Sequence, residues 1–155
     1  MIEVAFYKAR GNWQDKTIRW FTSSLYSHCE IIMGGMQLSS SIMEGGVRNK
    51  EHIRNTEKWD YVTVTGRLDS NRIINLFSSE NGCGYDFKGI LLSEIFPFEI
   101  HSKTKWYCSE ICAEALRVAG CTELIGHPST MSPQKLYERL NVFRNQEIIQ
   151  PPKDN

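Results

Sequence analysis

Trp106-Tyr107-Cys108-Ser109-Glu110-Ile111-Cys112-Ala113-Glu114-Ala115-Leu116 puts a thiol in the first turn of a helix. Cys108, Ile111, Cys112, Ala115 and Ala119 recur at helical spacing, with Leu116 and Val118 beside them. The helix begins near Tyr107, and Gly120 is its natural C-terminal stop. A thiol is a strong nucleophile only as the thiolate, and the N–H groups at a helix start favour that charge. Cysteines are also good core residues, and Cys112 reads as one. The local sequence leaves Cys108 open between the two roles.

Upstream, His28-Cys29-Glu30-Ile31-Ile32-Met33 reads as a strand that Gly34-Gly35 ends in a hairpin turn. His28 and Glu30 share one face of it, and Cys29 and Ile31 the other. An imidazole beside a thiol can hold its proton and later deliver it to a leaving group. The plainer alternative is a solvated strand face with ordinary hydrogen bonds. A catalytic imidazole needs an orienting partner. Glu44 is the first candidate, because it ends the following strand and hairpin pairing can carry it beside His28. Glu30 is the alternative, although two residues along a strand span roughly 6.6 Å, long for direct support unless the ring leans toward it. Glu44 also reads as a plain residue of the hairpin edge.

Further strands are expected over Ile2–Lys8, about Gln37–Met43, from Val47 onward and over Tyr61–Thr65. Short helices are expected over Trp13–Phe21 and about Tyr85–Ile95, the latter ended by Pro97. Asp69 or Ser70 can cap a helix to about Ser79, with Ile73, Ile74, Leu76 and Phe77 as its apolar face. Ser132 before Pro133 opens another, running to about Leu140. Residues 1–155 read as one domain, without an internal repeat or a linker long enough to divide it.

The 155 residues are 41% hydrophobic and 23% charged, enough for one core, and 18 Lys plus Arg balance 18 Asp plus Glu. No net charge points to a nucleic-acid partner or an anionic membrane. Five cysteines, an odd number at irregular spacing, argue against a secreted disulfide scaffold and for a reducing cytosol, hence a cytoplasmic location. Met1–Lys8 reads as neither a secretion signal nor a membrane span, and the interrupted apolar stretch Ile90–Phe98 is too short for an integral membrane segment. No metal or other cofactor is expected, since a site built from His28, Cys29 and Cys108 would draw on opposite faces of one strand.

The order Tyr26-Ser27-His28-Cys29-Glu30-Ile31-Ile32, Ile42-Met43-Glu44-Gly45-Gly46-Val47, Gly84-Tyr85-Asp86-Phe87 and Trp106-Tyr107-Cys108-Ser109-Glu110-Ile111-Cys112 resembles the circularly permuted papain-like amidases and peptidases. These belong to the superfamily of NlpC-type bacterial cell-wall peptidases, to which lecithin-retinol acyltransferase-like proteins are related. The resemblance covers about Val4 to Leu140. It implies an α+β fold, a small antiparallel sheet packed against a nucleophile-bearing helix. It also implies Cys108 as nucleophile, His28 as base and Glu44 at the third polar position. Tyr26 at the rim and Asp86 before the helix are candidates for substrate or loop support, with packing the competing role of Tyr26. Where the family often has a small apolar residue and then glycine after the histidine, this chain has Cys29 and Glu30.

The implied reaction is cleavage of an amide, peptide or ester bond through a Cys-His-Glu site and a thioester. Peptides, peptidoglycan fragments and acyl lipids are the substrate classes it leaves open, and a bacterial or phage origin suits it. Acyl transfer, or a non-enzymatic binding role on the same scaffold, are the alternatives. The oligomeric state is not legible.

Overall fold

A computed structural model of the chain describes residues 1–9, 24–85, 105–121 and 127–149. Five strands form one antiparallel sheet: β1 (Ile2–Tyr7), β2 (His28–Met33), β3 (Met36–Ser41), β4 (Gly46–Glu51) and β5 (Trp59–Val64), in the order β4-β3-β2-β1-β5. The described helices are α1 (Ser70–Ser79), α2 (Cys108–Val118) and α3 (Pro133–Ile149), with a single 3-10 turn at Pro128–Thr130. This is a small α+β arrangement, with the antiparallel sheet packed against helices.

The register explains the core. Val4 pairs with Ile31 and Val62, Phe6 with Cys29, and Ile2 with Val64. Because side chains alternate along a strand, these residues share one face. That apolar row joins Ile111, Cys112, Ala115 and Leu116 of α2 and Ile73 and Phe77 of α1 in a single buried cluster. Tyr7, His28 and Trp59 form a parallel row at the end of β1, β2 and β5.

Local capping chemistry sets the helix boundaries. Asp69 accepts from the Asn71 backbone N–H at 3.0 Å and starts α1. Its own N–H donates to the Ala119 carbonyl at 3.0 Å, which ties α1 to the end of α2. Gly120, at φ +113°, stops α2, with Gly120 N–H donating to Arg117 O and Cys121 N–H to Leu116 O. That bond pair is the glycine-terminated helix end expected from the sequence. Ser132 accepts from Lys135 N–H, and Pro133 takes the first helical position.

Three expectations change. α3 continues to Ile149 rather than ending near Leu140, because no glycine or proline follows Leu140 until Pro151. β3 ends at Ser41, and residues 42–45 form the turn to β4. Tyr85, expected to open a helix, belongs instead to a two-residue strand β6 (Gly84–Tyr85) paired in parallel with β7 (Lys105–Trp106). The rest of that expected helix, the helix over 13–21, and Trp13, Trp20, Asp86 and Phe87 lie outside the described residues.

Candidate active site

The strand β7 delivers the chain into α2, and hydrogen bonds fix that entry. Ser40 on β3 donates to the Trp106 carbonyl at 2.7 Å. Tyr107 is the N-cap in extended conformation, and its hydroxyl donates to Ser129 O at 2.5 Å. Ser109 donates to Met131 O at 2.6 Å. Cys108 is therefore the first residue of a helix whose start is pinned to β3 on one side and to 128–131 on the other. Its sulfur has no exposed surface.

His28, the first residue of β2, meets this sulfur. The ring lies close enough to Cys108 for the two groups to couple electrostatically, and its Nε2 lies 3.1 Å from Glu30 Oε1. Trp59 packs edge-on against the ring at 6.1 Å between centroids. The imidazole thus neighbours both a sulfur and a carboxylate, with about 17% of its side chain exposed.

The electrostatics follow from that placement. Burial alone would raise the Cys108 thiol. The neighbouring Cys29 and the charge of His28 outweigh it and hold Cys108 well below the ordinary thiol value. Burial likewise works against a charged His28, but Cys108 and then Glu30 raise it to about 10. Glu30 is buried, which disfavours its ionisation. His28 and then Arg48 reverse this and bring its carboxyl down to about 2. Burial and the neighbouring sulfurs hold Cys29 in the protonated form, well above the ordinary thiol value. These influences favour the thiolate–imidazolium form of the pair.

Of the two acids proposed as the third member, Glu30 is the one whose carboxylate touches His28. Glu44 lies in the β3–β4 turn, and its oxygens are taken by Arg48 Nε and by Lys50 Nζ, the latter at 2.8 Å. The physical reason is strand order. β3 intervenes between that turn and β2, so the hairpin turns Glu44 back onto cations of β4. The 6.6 Å separation along β2 is bridged because both side chains are long enough to lean together.

Tyr26 is buried, packs against Phe6 and Tyr137, and donates its hydroxyl to Asp60 Oδ2 at 2.9 Å. Burial, then Tyr137 and Asp60, push its ionisation upward. Its contacts are those of a packing residue.

Two participants escaped the sequence reading. In the sequence Cys29 reads as a residue of the opposite strand face, a disfavoured metal ligand and a departure from a family pattern, yet it neighbours Cys108 and lowers its thiol. Arg48 was not singled out at all. Its Nη2 donates to Glu30 Oε1 while its Nε donates to Glu44 Oε2. The available signal was the alternation of Arg48 and Lys50 along β4, but their targets depend on a register no local pattern displays.

An open depression of about 500 Å³ borders Trp106, Glu110, Glu114, Arg117, His127, Pro128 and Ser129. Glu110, Glu114 and Arg117 follow at helical spacing on the side of α2 turned away from Cys108, Ile111 and Cys112. It is thus separate from the thiol. Among the described residues, no group of three or more His, Cys, Asp or Glu is arranged to hold a metal ion, and no helix is long and apolar enough to cross a membrane. The five cysteines carry free thiols.

Compared with protein-family models and with curated proteins, the chain matches none.

Proposed function

We propose that the protein is a thiol hydrolase of permuted papain-like type, with Cys108 as nucleophile, His28 as acid and base, and Glu30 as the residue orienting the ring. What supports this reading is an imidazole 3.1 Å from the Glu30 carboxylate and coupled to the charge of the neighbouring Cys108. Glu30 fixes the ring and stabilises its charged form without having to accept its proton.

In the proposed reaction the thiolate adds to a carbonyl carbon, forming a C–S bond and an oxyanion. Backbone N–H groups in the first turn of α2 stabilise that oxyanion. The C–N or C–O bond then breaks as imidazolium donates its proton to the leaving amine or alcohol. Neutral His28 next takes a proton from water, hydroxide attacks the thioester, and the thiolate departs as the acid is released. The two charges are restored at the end of the cycle. The same thioester can pass to an amine or alcohol instead of water, which makes acyl transfer a variant of one chemistry.

A second reading, a non-enzymatic scaffold, draws on the complete burial of the Cys108 sulfur. Substrate reaches that atom only when local opening uncovers it. Iodoacetamide labelling of the native protein, read cysteine by cysteine by peptide mass spectrometry, separates the two. The hydrolase reading expects Cys108 to alkylate faster than the equally buried Cys112, and Cys108→Ala to lose only that labelled peptide. A rate at Cys108 no greater than at Cys112 favours the scaffold. A panel of acyl, peptide and lipid electrophiles, with Cys108→Ala as blank, then sorts substrate class.

A further inference from the structure

Arg48 stands one residue beyond the triad, and its placement is specific. Only 12% of its side chain is exposed, although it carries a full charge. Nη2 donates to Glu30 Oε1, the same oxygen that faces His28 Nε2. Nε donates to Glu44 Oε2, and Nη1 reaches the Gln37 carbonyl at 3.4 Å. A guanidinium is suited to this, since its rigid fork serves several acceptors at once. Lys50 grips the other oxygen of Glu44 at 2.8 Å. A continuous line of hydrogen bonds therefore runs from the solvent edge at Lys50 and Glu44, through Arg48 and Glu30, to His28, the neighbour of Cys108.

We infer that Arg48 is a positioning residue for this site: it aims the Glu30 carboxylate at His28, and through it Glu44 bears on the reactivity of Cys108. This rests on the hydrolase reading above. A buried carboxylate with a single imidazole partner would share that partner's proton and lose its charge as pH falls. The second cation on Oε1 prevents this. Glu30 then stays ionised and holds the imidazolium, which in turn holds the thiolate. Among the described residues, the titratable and charged groups that bear on this line are Cys108 and Glu30 against His28, Cys29 and His28 against Cys108, Arg48 and His28 against Glu30, and Lys50 and Arg48 against Glu44.

The test is the pH profile of iodoacetamide alkylation at Cys108 in the full chain, from pH 4 to 9. Arg48→Met should lower the rate at pH 4.5, relative to the rate at pH 8, by about tenfold. Arg48→Lys keeps the charge but loses the fork and should fall between the two. Glu44→Gln should produce a smaller fall, and none in the Arg48→Met background, because its route runs through Arg48. Profiles of Arg48→Met and Arg48→Lys that superimpose on the parent overturn the inference. So does a Glu44→Gln effect that survives in the double variant. Should Arg48→Met not fold, the Arg48→Lys and Glu44→Gln profiles decide alone, with a parent-like profile for both as the overturning result. Loss of preferential labelling in the parent itself would instead defeat the hydrolase reading, so the two failures are distinguishable.

Discussion

Two carboxylates share one arginine, and they live in different worlds. Glu30 is 2% exposed and faces His28 and Arg48. Glu44 has 37% of its side chain in solvent and faces Arg48 and Lys50. Burial makes the first pair of contacts indispensable, because an unpartnered carboxylate in the interior is costly. The second pair competes with water and salt. The sequence distance to His28 is two residues for Glu30 and sixteen for Glu44, but the contrast that matters is whether water can replace the partner.

The largest expected effect lies on the inner side. On the hydrolase reading, His28→Ala removes the charge that favours ionisation of Cys108, so its thiol returns toward ordinary or higher values. At pH 6 its alkylation should fall on the order of ten- to a hundredfold, less than the thiolate fraction alone implies because a more basic thiolate is intrinsically more nucleophilic. The deficit should narrow as the pH rises toward 9. A pH-independent deficit would mean that the ring governs access to the sulfur, not its ionisation.

Glu30→Gln comes next, and its signature is in stability. The carboxyl moves from 4.5 to about 2 on folding. A depressed carboxyl contributes stability that is present above pH 4.5 and disappears as the pH falls through about 2. The parent should therefore exceed Glu30→Gln by on the order of 3 kcal/mol in urea unfolding at pH 6. The gap should close between those two pH values. His28 contributes in the opposite sense. Its raised value adds stability that is complete below 6.5 and is lost as the pH rises through about 10. Parent stability should thus fall at both ends, and a gap for Glu30→Gln that stays constant from pH 6 to 2 would break the contrast between the two acids.

Gly46 links the two sides, since it separates Glu44 from Arg48. Its φ is +143°, and a Cβ there would come within 1.9 Å of the Cys83 carbonyl oxygen. That same oxygen accepts from Val47 N–H at 2.8 Å, holding the loop against the start of β4. Gly46→Ala should cost more than about 1 kcal/mol by urea unfolding, from strained backbone and displaced loop together. An unchanged midpoint would show that this junction is slack, and that the line from Glu44 to Glu30 is less firmly held than its contacts indicate.

These contrasts also show what the chain displays locally and what it does not. Asp69, Gly120 and the Ser132-Pro133 pair act on atoms within a few residues, so their helix ends were readable in advance. The β2–β3 hairpin was readable for the same reason, through Gly34 and Gly35, both at positive φ. The two-residue strands β6 and β7 were not, since no periodicity exists over two residues and their paired residues lie 21 positions apart. Cys108 and His28 stood out by residue type and setting. Choosing between Glu30 and Glu44 required the strand order and the reach of two leaning side chains, and Arg48 required the β3–β4 register. Those are long-range facts, fixed by packing.

Glu44→Gln is the smallest effect and the sharpest test of the comparison. The contacts it removes are those of a half-exposed carboxylate, and such ion pairs contribute about 0–1 kcal/mol. The loss in urea unfolding at pH 6 should fall in that range and shrink toward zero in 1 M NaCl, because salt screens charges near the surface within a few ångströms. The Glu30→Gln loss should survive the same salt, because its partners are shielded from mobile ions by the protein itself. Chloride that cancels both losses would place Glu30 in effective contact with solvent. Such a carboxylate could not keep a buried imidazolium charged against the desolvation it suffers, and the thiolate beside it would lose its support.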